Sequence, residues 1–76
     1  MNEEIGLVAG SIWKTLDANG EMTLTSLRKK IAAENILFDW AIGWLAREDK
    51  IELTFTKKRA FRVCLKGWHP QRANAA

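Results

Sequence analysis

The chain has 76 residues, a formal charge of +3 and a pI near 9.4, with 47% hydrophobic and 28% charged residues. That balance excludes a disordered chain, and the length leaves room for one domain. A single cysteine excludes an internal disulfide, so side-chain burial must supply the whole core. At this size folding hides only about 60% of the surface of the unfolded chain. The first ten residues hold two acids and no basic segment. The longest apolar run, residues 40–46, falls far short of the roughly 20 residues of a membrane span. With the lone Cys64, these features predict a cytoplasmic protein.

Residues 3–17 read as an amphipathic helix with Ile5, Val8, Ala9, Ile12 and Leu16 on one stripe and Trp13 at its rim. Asn2 is the expected N-cap, Glu3 and Glu4 suit the positive end of the helix dipole, and Asn19-Gly20 supplies the stop. Gly6 and Gly10 lie off the stripe and leave a shallow flank able to admit a partner helix. Glu21-Met22-Thr23 suffices for one edge strand, after which Thr23 caps a second helix over residues 24–32. Leu24, Leu27 and Ile31 form its narrow apolar stripe, and Arg28, Lys29 and Lys30 occupy the remaining faces.

Ala33-Glu34-Asn35 makes a turn, with Asn35 as the next cap, and a third helix follows over residues 36–48. At about 100° per residue, Leu37, Ala41, Trp44 and Leu45 share the side assigned to the core. Ile36, Asp39, Trp40, Gly43 and Arg47 fall opposite. Two alternating runs follow: Ile51, Leu53 and Phe55 interleave with polar residues, as do Phe61, Val63 and Leu65. Matching their apolar faces pairs Phe55 with Phe61, Leu53 with Val63 and Ile51 with Leu65. The tip, residues 56–60, has no Gly or Asn and so is not a two-residue tight turn. Gly67 ends the second strand. The expected architecture is α+β, mainly α, over residues 1–67, with residues 68–76 as a flexible tail.

Helix, short strand, helix, turn, helix and basic-tipped hairpin is the order of a winged helix-turn-helix. Gly20-Glu21-Met22-Thr23-Leu24-Thr25-Ser26-Leu27 resembles the short strand that leads into its second helix. Gly43-Trp44-Leu45-Ala46-Arg47-Glu48, followed by a turn and Lys50-Ile51, resembles the exit of its recognition helix into the wing. Over residues 3–66 the chain resembles small stand-alone bacterial and archaeal winged-helix proteins of unassigned function. In the wider superfamily the third helix enters the DNA major groove and the wing contacts the backbone or minor groove. The resemblance thus implies duplex DNA as partner and the third helix as reader. It makes Lys57, Lys58 and Arg59 wing-tip phosphate contacts, with Arg28, Lys29 and Lys30 flanking the backbone.

The charge distribution bears on that implication. Residues 1–24 set Glu3, Glu4, Asp17 and Glu21 against Lys14, a net −3. Residues 51–76 set Lys57, Lys58, Arg59, Arg62, Lys66 and Arg72 against Glu52, a net +5. Arg62 stands behind the tip bases, and Arg47 comes late on the third helix. Such a cluster can neutralise phosphates without reading sequence. Base readout needs Arg, Lys, Asn or Gln at groove edges. The outward face of the third helix offers instead Ile36, Asp39, Trp40 and Gly43, a composition closer to that of a protein interface. Two readings therefore stand: a nucleic-acid-binding module of the transcription-regulator type, and a homodimerising or protein-interaction module using that face. Trp40 has a third option, packing on the tail near Trp68.

Chemistry is sparse. His69 stands in the tail beside Pro70. Cys64 falls on the face of its strand opposite the hairpin's apolar residues, beside Arg62 and Lys66, whose charge is expected to lower its pKa, but no histidine is at hand. No spacing suits a metal, and Gly6, Gly10 and Gly20 form no phosphate loop. The sequence predicts no enzyme, no cofactor, no metal site, no small-molecule substrate and no membrane association.

Overall fold

The computed structural model describes residues 2–56 and 60–69. Six elements follow in order: α1 (Asn2–Asn19), β1 (Met22–Thr23), α2 (Leu24–Lys30), α3 (Asn35–Arg47), β2 (Ile51–Phe55) and β3 (Phe61–Leu65). The strands form an antiparallel sheet in the order β1-β3-β2, so the last strand is the central one. α1 packs along α3, and β3 lies against both α1 and α2.

Local chemistry accounts for most boundaries. α1 buries Ala9, Ile12 and Leu16, the expected stripe, with Ile5 and Val8 partly covered. Asn2 is already helical rather than a cap. The Gly20 N–H donates to the Leu16 carbonyl at 2.7 Å, and Gly20 takes φ +78°, the left-handed termination expected of Asn19-Gly20. Thr23 caps α2 by accepting from the Ser26 N–H at 3.1 Å. α2 stops two residues short of its expected end, because Ile31 is extended and turns its side chain into the core. At the start of α3 the cap is Glu34 rather than Asn35, without a side-chain bond. The helix closes in a Schellman arrangement: Asp49 N–H bonds Ala46 and Lys50 N–H bonds Leu45, with Asp49 at φ +60°.

α3 is rotated from its expected phase. Phe38, Ala41, Ile42 and Leu45 are buried, whereas Leu37 is only half-buried and Trp44 is exposed. At 100° per residue the core side has moved by about 65°. The cause is the fit of Phe38, 1% exposed, into the space between the helices, which an indole with its N–H fills less readily. Phe38 joins Ile12, Leu16, Leu27, Leu45 and Val63 as the largest fully buried side chains.

The hairpin has the expected register, Ile51↔Leu65, Leu53↔Val63 and Phe55↔Phe61. β1 adds Met22↔Val63 and Thr23↔Arg62 on the other side of β3. Ile51 and Val63 are buried, but Leu53, Phe55 and Phe61 are exposed, so the distal hairpin projects past the core. There the Phe55 and Phe61 rings pack on each other, 4.9 Å apart and tilted by 51°. Beyond β3, Trp68 lies over Gly20, where a Cβ would sit 2.9 Å from the indole. Packing on the tail near Trp68 is one of the options open to Trp40; Trp68 instead covers Gly20, and Trp40 is exposed. The Trp68 backbone N–H also bonds the Leu65 carbonyl at 3.0 Å.

Cys64 is buried, contrary to its expected place on an open face, because its strand is flanked on both sides. Its pKa is raised rather than lowered. Burial is the main cause, and the carboxylates of Glu52 and Glu21 add to it.

Two outcomes follow. Gly20→Ala should cost more than about 1 kcal/mol in urea unfolding, because it combines an unfavourable positive φ with a clash against Trp68. At pH 8 the Cys64 thiol should react with an aromatic disulfide reagent at least about tenfold more slowly in the folded protein than in urea. Since folding raises this pKa, the associated stability is complete below the ordinary thiol value of 9.0. It is lost as pH rises through the folded value, which a pH series of unfolding curves would show.

Candidate interaction surfaces

The fold divides the basic side chains into two sets. Arg28, Lys29 and Lys30 form the last turn of α2. Arg28 turns toward α3, where Nη2 donates to Asp39 Oδ1 at 2.6 Å and the guanidinium carbon lies 4.6 Å from the Phe38 ring centroid. Arg28 thus lids the buried phenyl ring and neutralises the acid on the α3 surface. Arg62 donates through Nε to Glu21 Oε1 at 2.8 Å, joining the acidic lead into β1 to the central strand. Lys66 lies 3.2 Å from Asp49 Oδ1 and 3.6 Å from Glu52 Oε1. Its hydrogen bond to Asp49 and the charges of Asp49 and Glu52 raise its pKa. All these pairs are at least partly exposed, so solvent screens them and they add little to stability.

Lys14, Lys29, Lys30, Arg47 and Lys50 form the other set. They are exposed and belong to no ion pair among the described residues. Lys57, Lys58 and Arg59 lie outside the described residues. Of the bases expected at phosphates, the structure therefore holds Arg28 and Arg62 in internal pairs and leaves Lys29, Lys30 and Arg47 facing water.

The outward face of α3 is apolar. Ile36 and Trp40 are 51% and 44% exposed, and nothing lies within 4 Å of a Cβ built on Gly43. Asp39 is exposed but engaged by Arg28. Trp44, expected in the core, sits one turn past Trp40 on the flank toward α1. There it lines a groove with Gly6, Gly10 and Trp13, with Asn2 at one end and Lys50 at the other. Trp13 and Trp44 are 42% and 45% exposed. Three of the four tryptophans are thus open to solvent on the α1–α3 side. The sequence signal was available: Ile36, Trp40 and Trp44 are spaced by four and form one ridge of the helix.

No helix among the described residues is long and apolar enough to cross a membrane. Among the same residues, no group of three or more His, Cys, Asp or Glu is placed to hold a metal ion.

No curated protein matches this chain. A family model described as "Winged helix-turn-helix domain (DUF2582)" matches residues 1–65, a span that takes in all three helices and the hairpin. The fold of three helices with a three-stranded antiparallel sheet agrees with that description, and the chain belongs to this winged helix-turn-helix family.

Proposed function

We propose that the protein is a non-catalytic nucleic-acid-binding module of the transcription-regulator type, which holds the phosphate backbone through α2 and the wing and does not read bases with α3. The observation that carries this reading is the division of the cations. Arg28, Arg62 and Lys66 are consumed in internal pairs, while Lys29, Lys30 and Arg47 stand unpaired among the described residues. The sequence adds Lys57, Lys58 and Arg59 between β2 and β3. Winged-helix domains commonly bind DNA, which supports the same reading. Ile36, Trp40 and Gly43 are not side chains that pair with base edges as Arg, Lys, Asn or Gln do, and Asp39 is held by Arg28, so the expected binding is electrostatic and indifferent to sequence.

Duplex DNA titrated at about 50 and 200 mM salt tests this. Log affinity should fall linearly with log salt, and Lys29→Ala with Lys30→Ala should flatten the slope by about 1.8, the loss of two phosphate contacts. Absence of binding at the lower salt refutes the reading.

A second reading, self-association or protein interaction, is favoured by the exposure of Ile36 and Trp40 on a helix face whose one acid, Asp39, is paired with Arg28. Large aromatics with few charges nearby mark the centres of protein interfaces. Sedimentation velocity at high micromolar concentration should show a dimer, and a monomer there overturns the homodimeric form.

A further inference from the structure

We infer that the groove between α1 and α3 is the seat of a twofold contact with a second copy of this chain, α1 lying antiparallel on α1; this goes beyond the self-association reading, which Ile36 and Trp40 on the outer face of α3 support. The shape comes first. Gly6 and Gly10 are one turn apart, and a Cβ on either would meet nothing within 4 Å. Trp13 and Trp44 wall the same groove. Gly20 and Gly67 have positive φ and need glycine for it, whereas Gly6 and Gly10 are ordinary helical positions with open space above them. Glycine is the least favourable residue of a helix interior after proline, so within one chain these two bring no gain. A second backbone drawn close to α1 is what their missing side chains admit.

Charge and register select the occupant. At helical spacing Glu3, Gly6, Gly10, Lys14 and Asp17 share a face of α1; Glu3 stands at one end and Lys14 near the other, with Asp17 beyond the stretch that two copies crossing at residue 8 overlap. Lys50 adds a second base at the Lys14 end of the groove. A parallel copy sets like charge on like, whereas an antiparallel copy brings each Glu3 to the Lys14 of the other chain. The registers agree. The twofold axis that pairs Gly6 with Gly10 passes at residue 8, and the one that pairs Glu3 with Lys14 passes midway between residues 8 and 9. The same arrangement lays Trp13 of each copy against the half of the other groove lined by Asn2, Ile5, Gly6 and Trp44. The surface is therefore self-complementary in charge and in bulk, as an isologous contact requires.

Sedimentation equilibrium of the full chain without nucleic acid is the test, so its outcome is independent of the DNA titration. Gly6→Leu with Gly10→Leu should weaken self-association at least tenfold while far-UV circular dichroism is retained. Trp40→Ala, outside the groove lining, should change it less than threefold. Glu3→Lys and Lys14→Glu should each weaken it severalfold, and together they should restore it. Self-association that survives the leucine pair but is lost in Trp40→Ala places the contact on the outer face of α3 and overturns the inference, leaving the self-association reading intact. Failure of the paired charge reversal to restore association overturns the antiparallel arrangement. A wild-type monomer overturns both.

Discussion

The rest of the molecule turns on the burial of Phe38 under the Arg28 guanidinium. Full burial of a phenylalanine is worth about 1.5–3 kcal/mol. The cation over its ring adds about 0.5–1 kcal/mol at a partly exposed site, and the Arg28–Asp39 pair about as much again at most. The apolar contribution is the larger, so it sets the rotation of α3 and the ion pair follows. Once Phe38 points inward, Ala41, Ile42 and Leu45 must join it. Trp44 is carried to the α1 flank, Asp39 to the α2 flank, and Ile36 and Trp40 to the outside. The composition of both candidate surfaces is thus a by-product of one packing decision.

Much of this was legible in the sequence, for identifiable reasons. The hairpin register was readable because its apolar residues alternate strictly and a slip of one position would expose them all. The α1 stripe, the Thr23 cap and the Gly20 stop each rest on a local rule and were readable in the same way. The phase of α3 was not. Ile36, Leu37, Phe38, Trp40, Ala41, Ile42, Trp44 and Leu45 surround that helix with apolar groups, and periodicity alone cannot choose among them. The choice came from the burial of Phe38, a tertiary fit that no local pattern announces. Cys64 was misread similarly, since nothing in the hairpin alone reveals that β1 pairs on the far side of β3.

The candidate phosphate contacts show the same limit. Arg28 and Arg62 are paired with acids 11 and 41 residues away in the chain, invisible to a reading of neighbouring charges. The acidic beginning and basic end of the chain meet partly within the fold, where Glu21 answers Arg62. Net charge therefore overstates the field available to a partner. What remains outward at α2 and α3 is a smaller set than the pI suggests, and it flanks an apolar helix face.

The two glycines of α1 bear on how firmly that helix is held. Each weakens an isolated helix by about 0.8–1.0 kcal/mol relative to alanine, and a single helix of this length is already marginal in water. The helical state of α1 is therefore borrowed from its packing on α3 and β3. Its amides should open more readily than those of the sheet, through fluctuations confined to the first element of the chain. Any occupant of its glycine face acts on that opening equilibrium, and so on the order of the whole N-terminal segment.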